Sequence, residues 1–184
     1  MDSVRVEQLE REGRVRVAWA PFELHPEAPP EGIPREAYFG RARSDAMRDR
    51  LQAVASEVGL TMESRDVIIN SRRALAAAEF AREHGRFGAM HQALFKAHWE
   101  LTGKLESVDD LVAIGAGVGL DPMALRVAIE DGRYEAVLDE TRQEAESAGI
   151  NAIPAHVFGG RYLVLGAQPY EIFLQVLDRV TGSA

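Results

Sequence analysis

The sequence contains no cysteine. Dithiol exchange, thiolate attack and Cys-ligated zinc or iron–sulfur sites all need the sulfur atom itself, so this chain alone cannot supply any of them. A long apolar run is absent too. The first residues, MDSVRVEQLEREGRVRV, are charged from the second position, and no stretch approaches the length that spans a bilayer. These features set the expectation of a soluble, cytoplasmic protein with no membrane partner. Concentrated positive charge is also lacking: 21 basic residues face 29 acidic ones, for a net charge of −8, and Arg14, Arg16, Arg72 and Arg73 form scattered pairs. That balance repels phosphate backbones and argues against a nucleic-acid partner. Acidic residues cluster in helical stretches such as Glu135 to Glu146, where they read as a solvated face.

What remains is sufficient for a folded domain. With 184 residues, the chain can bury a substantial core without covalent staples, as one domain or as a small domain carrying a helical insertion. Val6 and Leu9 sit at helical spacing in Val4 to Glu12, and Gly13 is placed to stop that helix. Arg14 to Trp19 then alternates, with Val15, Val17 and Trp19 on one face, which predicts a strand ended by Pro21. Pro26, Pro29, Pro30, Pro34 and Gly32 make regular structure unexpected from Phe22 to Arg35. Met47, Leu51, Val54 and Val58 predict an amphipathic helix over Ser44 to Val58, closed by Gly59; Val67 to Ile69 is too short a run to assign.

From Asn70 to about Ala148 the periodicity predicts four or five helices, with breaks near Gly85, Gly103, Gly132 and Gly149. Ser107 with Asp110 has the form of a capping box, Asp121-Pro122 offers an N-cap with proline at the first helical position, and Asn70-Ser71 reads as a further cap. The end of the chain changes character. Ala155 to Phe158 and Arg161 to Val164 flank Gly159-Gly160, a pair suited to a two-residue hairpin turn. Gln168-Pro169 opens a last helix whose Tyr170, Phe173, Leu177 and Val180 share a face. Strand, helices, hairpin and helix make an α/β layered order with a helical insertion.

Candidate chemistry is sparse. His91 and His98 lie seven residues apart in one helix, about 10 Å along its axis, too far to share a metal without ligands from elsewhere. No metal site is expected. His84, just before Gly85, suits the C-terminal end of a helix dipole. Glu23 and His25 form a candidate acid–base pair in the proline loop, against the plainer reading of solvated loop charges. Trp19 and Trp99 read as core or interface anchors. His156, two residues past Pro154, is either ligand-facing or a packed strand residue.

Four stretches taken together resemble the DsbA-like oxidoreductases of FrnE type: FELHPEAPPEG from Phe22, NSRRALAAAEFAREHGRF from Asn70, GLDPMALRVAIEDGRY from Gly119 and GINAIPAHVFGGRYLVLGAQPYEIF from Gly149. The resemblance implies a thioredoxin-like fold formed by 1–69 and 149–184, split by an all-helical insertion at 70–148. It implies protein or small-molecule thiol/disulfide substrates and no cofactor. It also implies that Ile153-Pro154 is a cis bond lining a substrate groove, with Ala152, Ile153, Pro154 and His156 as substrate-binding residues. The family's redox cysteines, expected after a first strand at the start of the first long helix, have no counterpart here, and Val4 to Glu12 resembles later turns of that helix. No catalytic residue is therefore carried over.

An absent first strand would leave two sheet edges open, and unpaired buried backbone groups cost about 1 to 3 kcal/mol each. Either the sheet closes the gap, a second copy covers the edge as a homodimer, or the sequence is a shortened reading of a longer product. Three activity readings stand: a family member without redox activity, a relative of the glutathione-dependent kappa-type transferases and 2-hydroxychromene-2-carboxylate isomerases, and a non-catalytic peptide-binding or chaperone module. For the second, Ser3 is the candidate nearest the helix start, in surroundings that do not match that motif.

Overall fold

The computed structural model describes residues 2–57, 59, 62–63 and 65–182. They form two compact units, one joining 1–20 to 144–184 and the other spanning 21–143.

The first unit opens with α1 (Asp2–Arg11), where Val6 and Leu9, at 7% and 1% exposure, present one buried face. Gly13 takes a φ of +68°, and the amides of Gly13 and Arg14 return to the carbonyls of Glu10 and Leu9, both at 3.0 Å. A left-handed residue bonded back in this way ends the helix where the sequence places its stop. The expected strand at Arg14 to Trp19 does not form. Val15, Val17 and Trp19 are half-buried and Arg14, Arg16 and Ala18 exposed, so the alternation is present. Yet this segment has no strand partner among the described residues. Side-chain period records which face packs, here Val15 against Leu9, Val164, Phe173 and Leu177; a strand also needs a neighbouring backbone.

After a helix ending at Ser147 the unit continues with β3 (Ala155–Phe158) and β4 (Tyr162–Leu165), paired antiparallel with His156 opposite Val164 and Phe158 opposite Tyr162. That register makes the turn three residues long, Gly159 to Arg161, rather than two. Gly159 and Gly160 have φ of +56° and +69°, and Arg161 donates back to the Phe158 carbonyl at 3.1 Å. A Cβ on Gly159 would lie 2.8 Å from Cγ1 of Val180, so this turn also needs glycine for space. The last helix, α9 (Tyr170–Thr181), starts behind Pro169 and buries Phe173 and Leu177 against the hairpin's inner face.

In the second unit, β1 (Ile33–Pro34) pairs antiparallel with β2 (Val67–Ile68). The proline loop thus contains a short strand, and the unassigned run after Arg65 is its partner. Pro34 is tolerated because the ribbon is only two strands wide, leaving an edge that needs no donor. Next come α2 (Arg35–Phe39), which the proline-rich composition concealed, and α3 (Arg41–Glu57), which starts three residues before Ser44. Val58, assigned to its apolar stripe, lies outside the described residues, and Met47 is 39% exposed while Ser44 and Ala55 are buried.

Five helices follow: α4 (Arg72–Glu83), α5 (Phe87–Trp99), α6 (Val108–Gly117), α7 (Pro122–Glu130) and α8 (Glu135–Ser147). Their shared core holds Phe80, Met90, Leu111, Leu125 and Ala128, each no more than 2% exposed. Asp121 caps α7 by accepting from the Ala124 amide at 2.7 Å, and Ser107 caps α6 by accepting from Asp110 at 3.3 Å. The reciprocal half of the capping box is redirected, since the Asp110 carboxylate takes the Lys104 amide at 2.6 Å. At α4 the side-chain capping bond comes from Asn70 rather than Ser71: its Oδ1 accepts from the Arg72 amide at 3.0 Å.

Candidate functional site

The end of α8 is closed by backbone bonds from Ala148, Gly149 and Ile150 to Glu144, Glu146 and Ala145. Beyond it the chain passes through Asn151, Ala152 and Ile153, which make no backbone–backbone hydrogen bond among the described residues. The Ile153–Pro154 bond is cis, and Gly166 donates to the Pro154 carbonyl at 2.8 Å, tying this loop to the end of β4. Ala152 is exposed, Ile153 is 50% exposed and Pro154 half-buried. His156 belongs to the inner face of the hairpin, its ring edge-on to Phe173 at 5.0 Å and 85°. The structure therefore places Ala152, Ile153 and Pro154 at an accessible loop and turns His156 to the hairpin's inner face, against Phe173.

The hairpin's outer face carries Val157 at 54%, Leu163 at 39% and Leu165 at 37% exposure. Open backbone donors and acceptors beside an apolar face can hold an extended chain by strand-like bonding. Such groups bind and orient; they do not transfer protons or electrons.

The second unit contains different chemistry. Glu23 is buried and pairs with Arg72 at 3.0 Å, while Arg72 reaches Asp139 at 2.7 Å. His25 pairs instead with Glu27 at 3.1 Å, so the proposed Glu23–His25 acid–base pair does not form. The hydrogen bonds from Tyr38 and His25 hold the Glu27 carboxyl down at about 2. A cavity of about 360 Å³ is lined by Asn70, Arg72, Arg73, Glu106, Tyr134 and Leu138 among others. Tyr134 is buried and donates to Glu83 at 2.7 Å, and burial followed by that bond raises its pKa.

His84 caps the end of α4, with Nδ1 2.8 Å from the Phe80 carbonyl oxygen. His98 is held neutral: burial first, then Arg65 and Arg35, lower its pKa to about 4. Trp19 and Trp99 are half-buried rather than fully enclosed. No group of three or more His, Cys, Asp or Glu is arranged to hold a metal ion among the described residues. The Glu23–Arg72 pair and the surroundings of His98 join residues 30 or more positions apart, and the sequence offers no local signal for either.

A loop of this form between a helix and a hairpin, above a C-terminal helix, places the chain among thioredoxin-like proteins of the DsbA type. It belongs to the DSBA-like thioredoxin domain family, whose model it matches over residues 3–178. The solved structure of a probable DsbA oxidoreductase from Streptomyces coelicolor superposes with a TM-score of 0.87 at 27% identity, covering 99% of this chain and 84% of that one. The chain is also 25% identical over 167 residues to the uncharacterized protein YwbO of Bacillus subtilis, covering 89% of this chain and 82% of that protein. The DsbA-like thioredoxin fold expected from the sequence is thus the fold of the protein.

Proposed function

We propose that this chain is a FrnE-type member of the DsbA-like family that holds an extended polypeptide at the Pro154 loop without itself exchanging disulfides. The observation that carries this reading is that Ala152 and Ile153, leading into β3, are exposed residues whose backbone makes no backbone–backbone hydrogen bond among the described residues, in a sequence with no cysteine. Ala152, Ile153 and Pro154 form the contact, and His156, packed edge-on against Phe173, anchors the strand that follows them. Within this reading, the thioredoxin-like part comprises 1–69 and 149–184 and the insertion 70–148, a division by fold ancestry rather than by compactness. A cytoplasmic location, thiol- or disulfide-bearing substrates, and a second copy covering an open sheet edge belong to the same proposal. No helix among the described residues is long and apolar enough to cross a membrane.

The exposed apolar side chains of Ile153 and of Val157, Leu163 and Leu165 on the hairpin's outer face also favour a chaperone-like reading, in which the bound segment need not carry a disulfide. Titration of the ¹⁵N-labelled chain with a cysteine-free peptide of alternating apolar residues tests the binding. Amide shifts are expected at Ala152, Ile153, Ala155 and Val157; shifts confined to other segments refute the groove. In parallel, insulin reduction by dithiothreitol should run at its uncatalysed rate, and catalysis by the pure chain would overturn redox inactivity. Millimolar glutathione should leave the melting temperature unchanged, whereas a saturable rise would favour the transferase reading.

A further inference from the structure

In the unit spanning 21–143, two buried polar atoms that have no hydrogen-bond partner among the described residues, Nε of Arg65 and Nδ1 of His98, fall in one cluster of cations. Arg35 Nε donates to the Arg65 carbonyl at 3.0 Å. Arg65 Nη2 donates to the carbonyl oxygens of Gly103 and of Ala97, the residue before His98. Both Arg65 and Arg35 act electrostatically on His98, and Arg48 acts on Arg35. Side chains from α2, α3, the segment just before β2 and the end of α5 thus converge.

The charge at this place does not balance. Arg48 is answered by Asp66 at 3.1 Å and Asp45 at 3.6 Å. Asp66 also acts on Arg35, more weakly than Arg48 does. Among the described residues, neither Arg35 nor Arg65 has a carboxylate at ion-pair distance, and no acceptor meets either Nη of Arg35 or Nη1 of Arg65. All three arginines are partly buried. Capping the last carbonyls of α5 accounts for one nitrogen of Arg65 and leaves the rest unexplained. Partly buried cations without counter-charge are costly, and orphaned buried donors commonly mark an absent ion or water. A water bridging Arg65 Nε and His98 Nδ1 would satisfy the orphans but would leave two positive charges uncompensated.

We propose that Arg35, Arg65 and His98 form a binding site for a small doubly charged oxyanion of the phosphate type. Guanidinium forks match the oxygen spacing of phosphate, and both terminal nitrogens of Arg35 are left without an acceptor among the described residues. His98 donates from Nδ1 in the tautomer that carries its proton there.

The test is thermal melting of the full chain in chloride buffer, with inorganic phosphate, phenyl phosphate or acetate added at matched ionic strength. Phosphate should give a saturable rise of roughly 3 to 6 °C at ten times its dissociation constant, and acetate almost none. Arg35→Gln should weaken phosphate binding by at least about tenfold. Tighter binding of phenyl phosphate would identify an organic monoester as the source; equal binding would identify the free ion. Phosphate titration of the ¹⁵N-labelled wild type should shift Arg35, Arg65 and His98 resonances, and this mapping decides if Arg35→Gln does not fold. Melting that follows ionic strength alone, acetate equalling phosphate, or shifts confined to other residues overturns the site.

Discussion

Substituting alanine for Gly115 should destabilise the protein although alanine is the better helix former. The position lies inside α6 without positive φ, so intrinsic propensity favours alanine by about 0.8 to 1 kcal/mol. Packing opposes it. A Cβ there would lie 2.3 Å from Cδ2 of Leu125 and 3.5 Å from Cδ1 of Leu120. Leu125 is fully buried, at 0% exposure beside Ala128 at 0%, so it can withdraw only by leaving its rotamer or shifting α7. Overpacking of this kind costs about 1 to 3 kcal/mol, more when a helix must move; with both α7 and Leu125 held by the core the upper half of that range applies, and after the propensity gain the net expectation is a loss of about 1 to 2 kcal/mol. Gly117 supplies the control: it ends the same helix, and a Cβ there meets nothing within 4 Å. Gly117→Ala should be neutral or stabilise by up to about 0.5 kcal/mol. Urea unfolding of both variants reads the difference as a Gly115→Ala midpoint lower by roughly 0.5 M, with unchanged slope. If Gly115→Ala stabilises the chain as Gly117→Ala does, close approach of α6 and α7 is not what the glycine provides, and the reasoning fails.

Phe173→Ala should cost about 3 to 5 kcal/mol, because the ring is fully buried and supports both His156 and Phe158; a loss under about 1 kcal/mol by urea unfolding would show that the hairpin does not rest on it. Asp121→Ala removes the cap of α7 and should cost about 1 kcal/mol, with Asp121→Asn recovering most of it; equal losses for the two variants would contradict capping. His98 gives a pH dependence of defined sign. Its folded pKa, about 4, lies below the ordinary histidine value, so between those pH values the unfolded chain binds a proton that the folded chain does not. Stability is complete above about pH 6.5 and falls as the pH drops toward 4, by on the order of 3 kcal/mol. Urea midpoints from pH 7.5 to 5 in phosphate-free buffer should show this fall, and His98→Phe should flatten it; an unchanged profile in the variant would refute the assignment.

Local signals were most legible where one residue imposes one conformation. Asp121-Pro122 marks the start of α7, Gly13 the end of α1, and Gly159-Gly160 the hairpin turn, because each acts within a few residues of itself. The Arg14 to Trp19 strand failed for the complementary reason. Its alternation is real, yet strand formation depends on a second backbone that no local pattern encodes. The short α2 and the β1–β2 pair were hidden by prolines placed at an element's edge, where a missing donor does no harm.

The candidate site divides in the same way. The motif around Ile153-Pro154 and the absence of cysteine are properties of the chain as written. The first, with the three other matching stretches, carried the family resemblance, and the second excluded thiol chemistry by this chain alone. Only the tertiary structure decided that His156 turns toward Phe173, that Glu23 pairs with Arg72 rather than His25, and that Arg35, Arg65 and His98 meet. Covalent order fixes which groups exist and which short conformations they favour. Charges and rings distant in sequence become neighbours only when apolar burial has packed the helices that carry them.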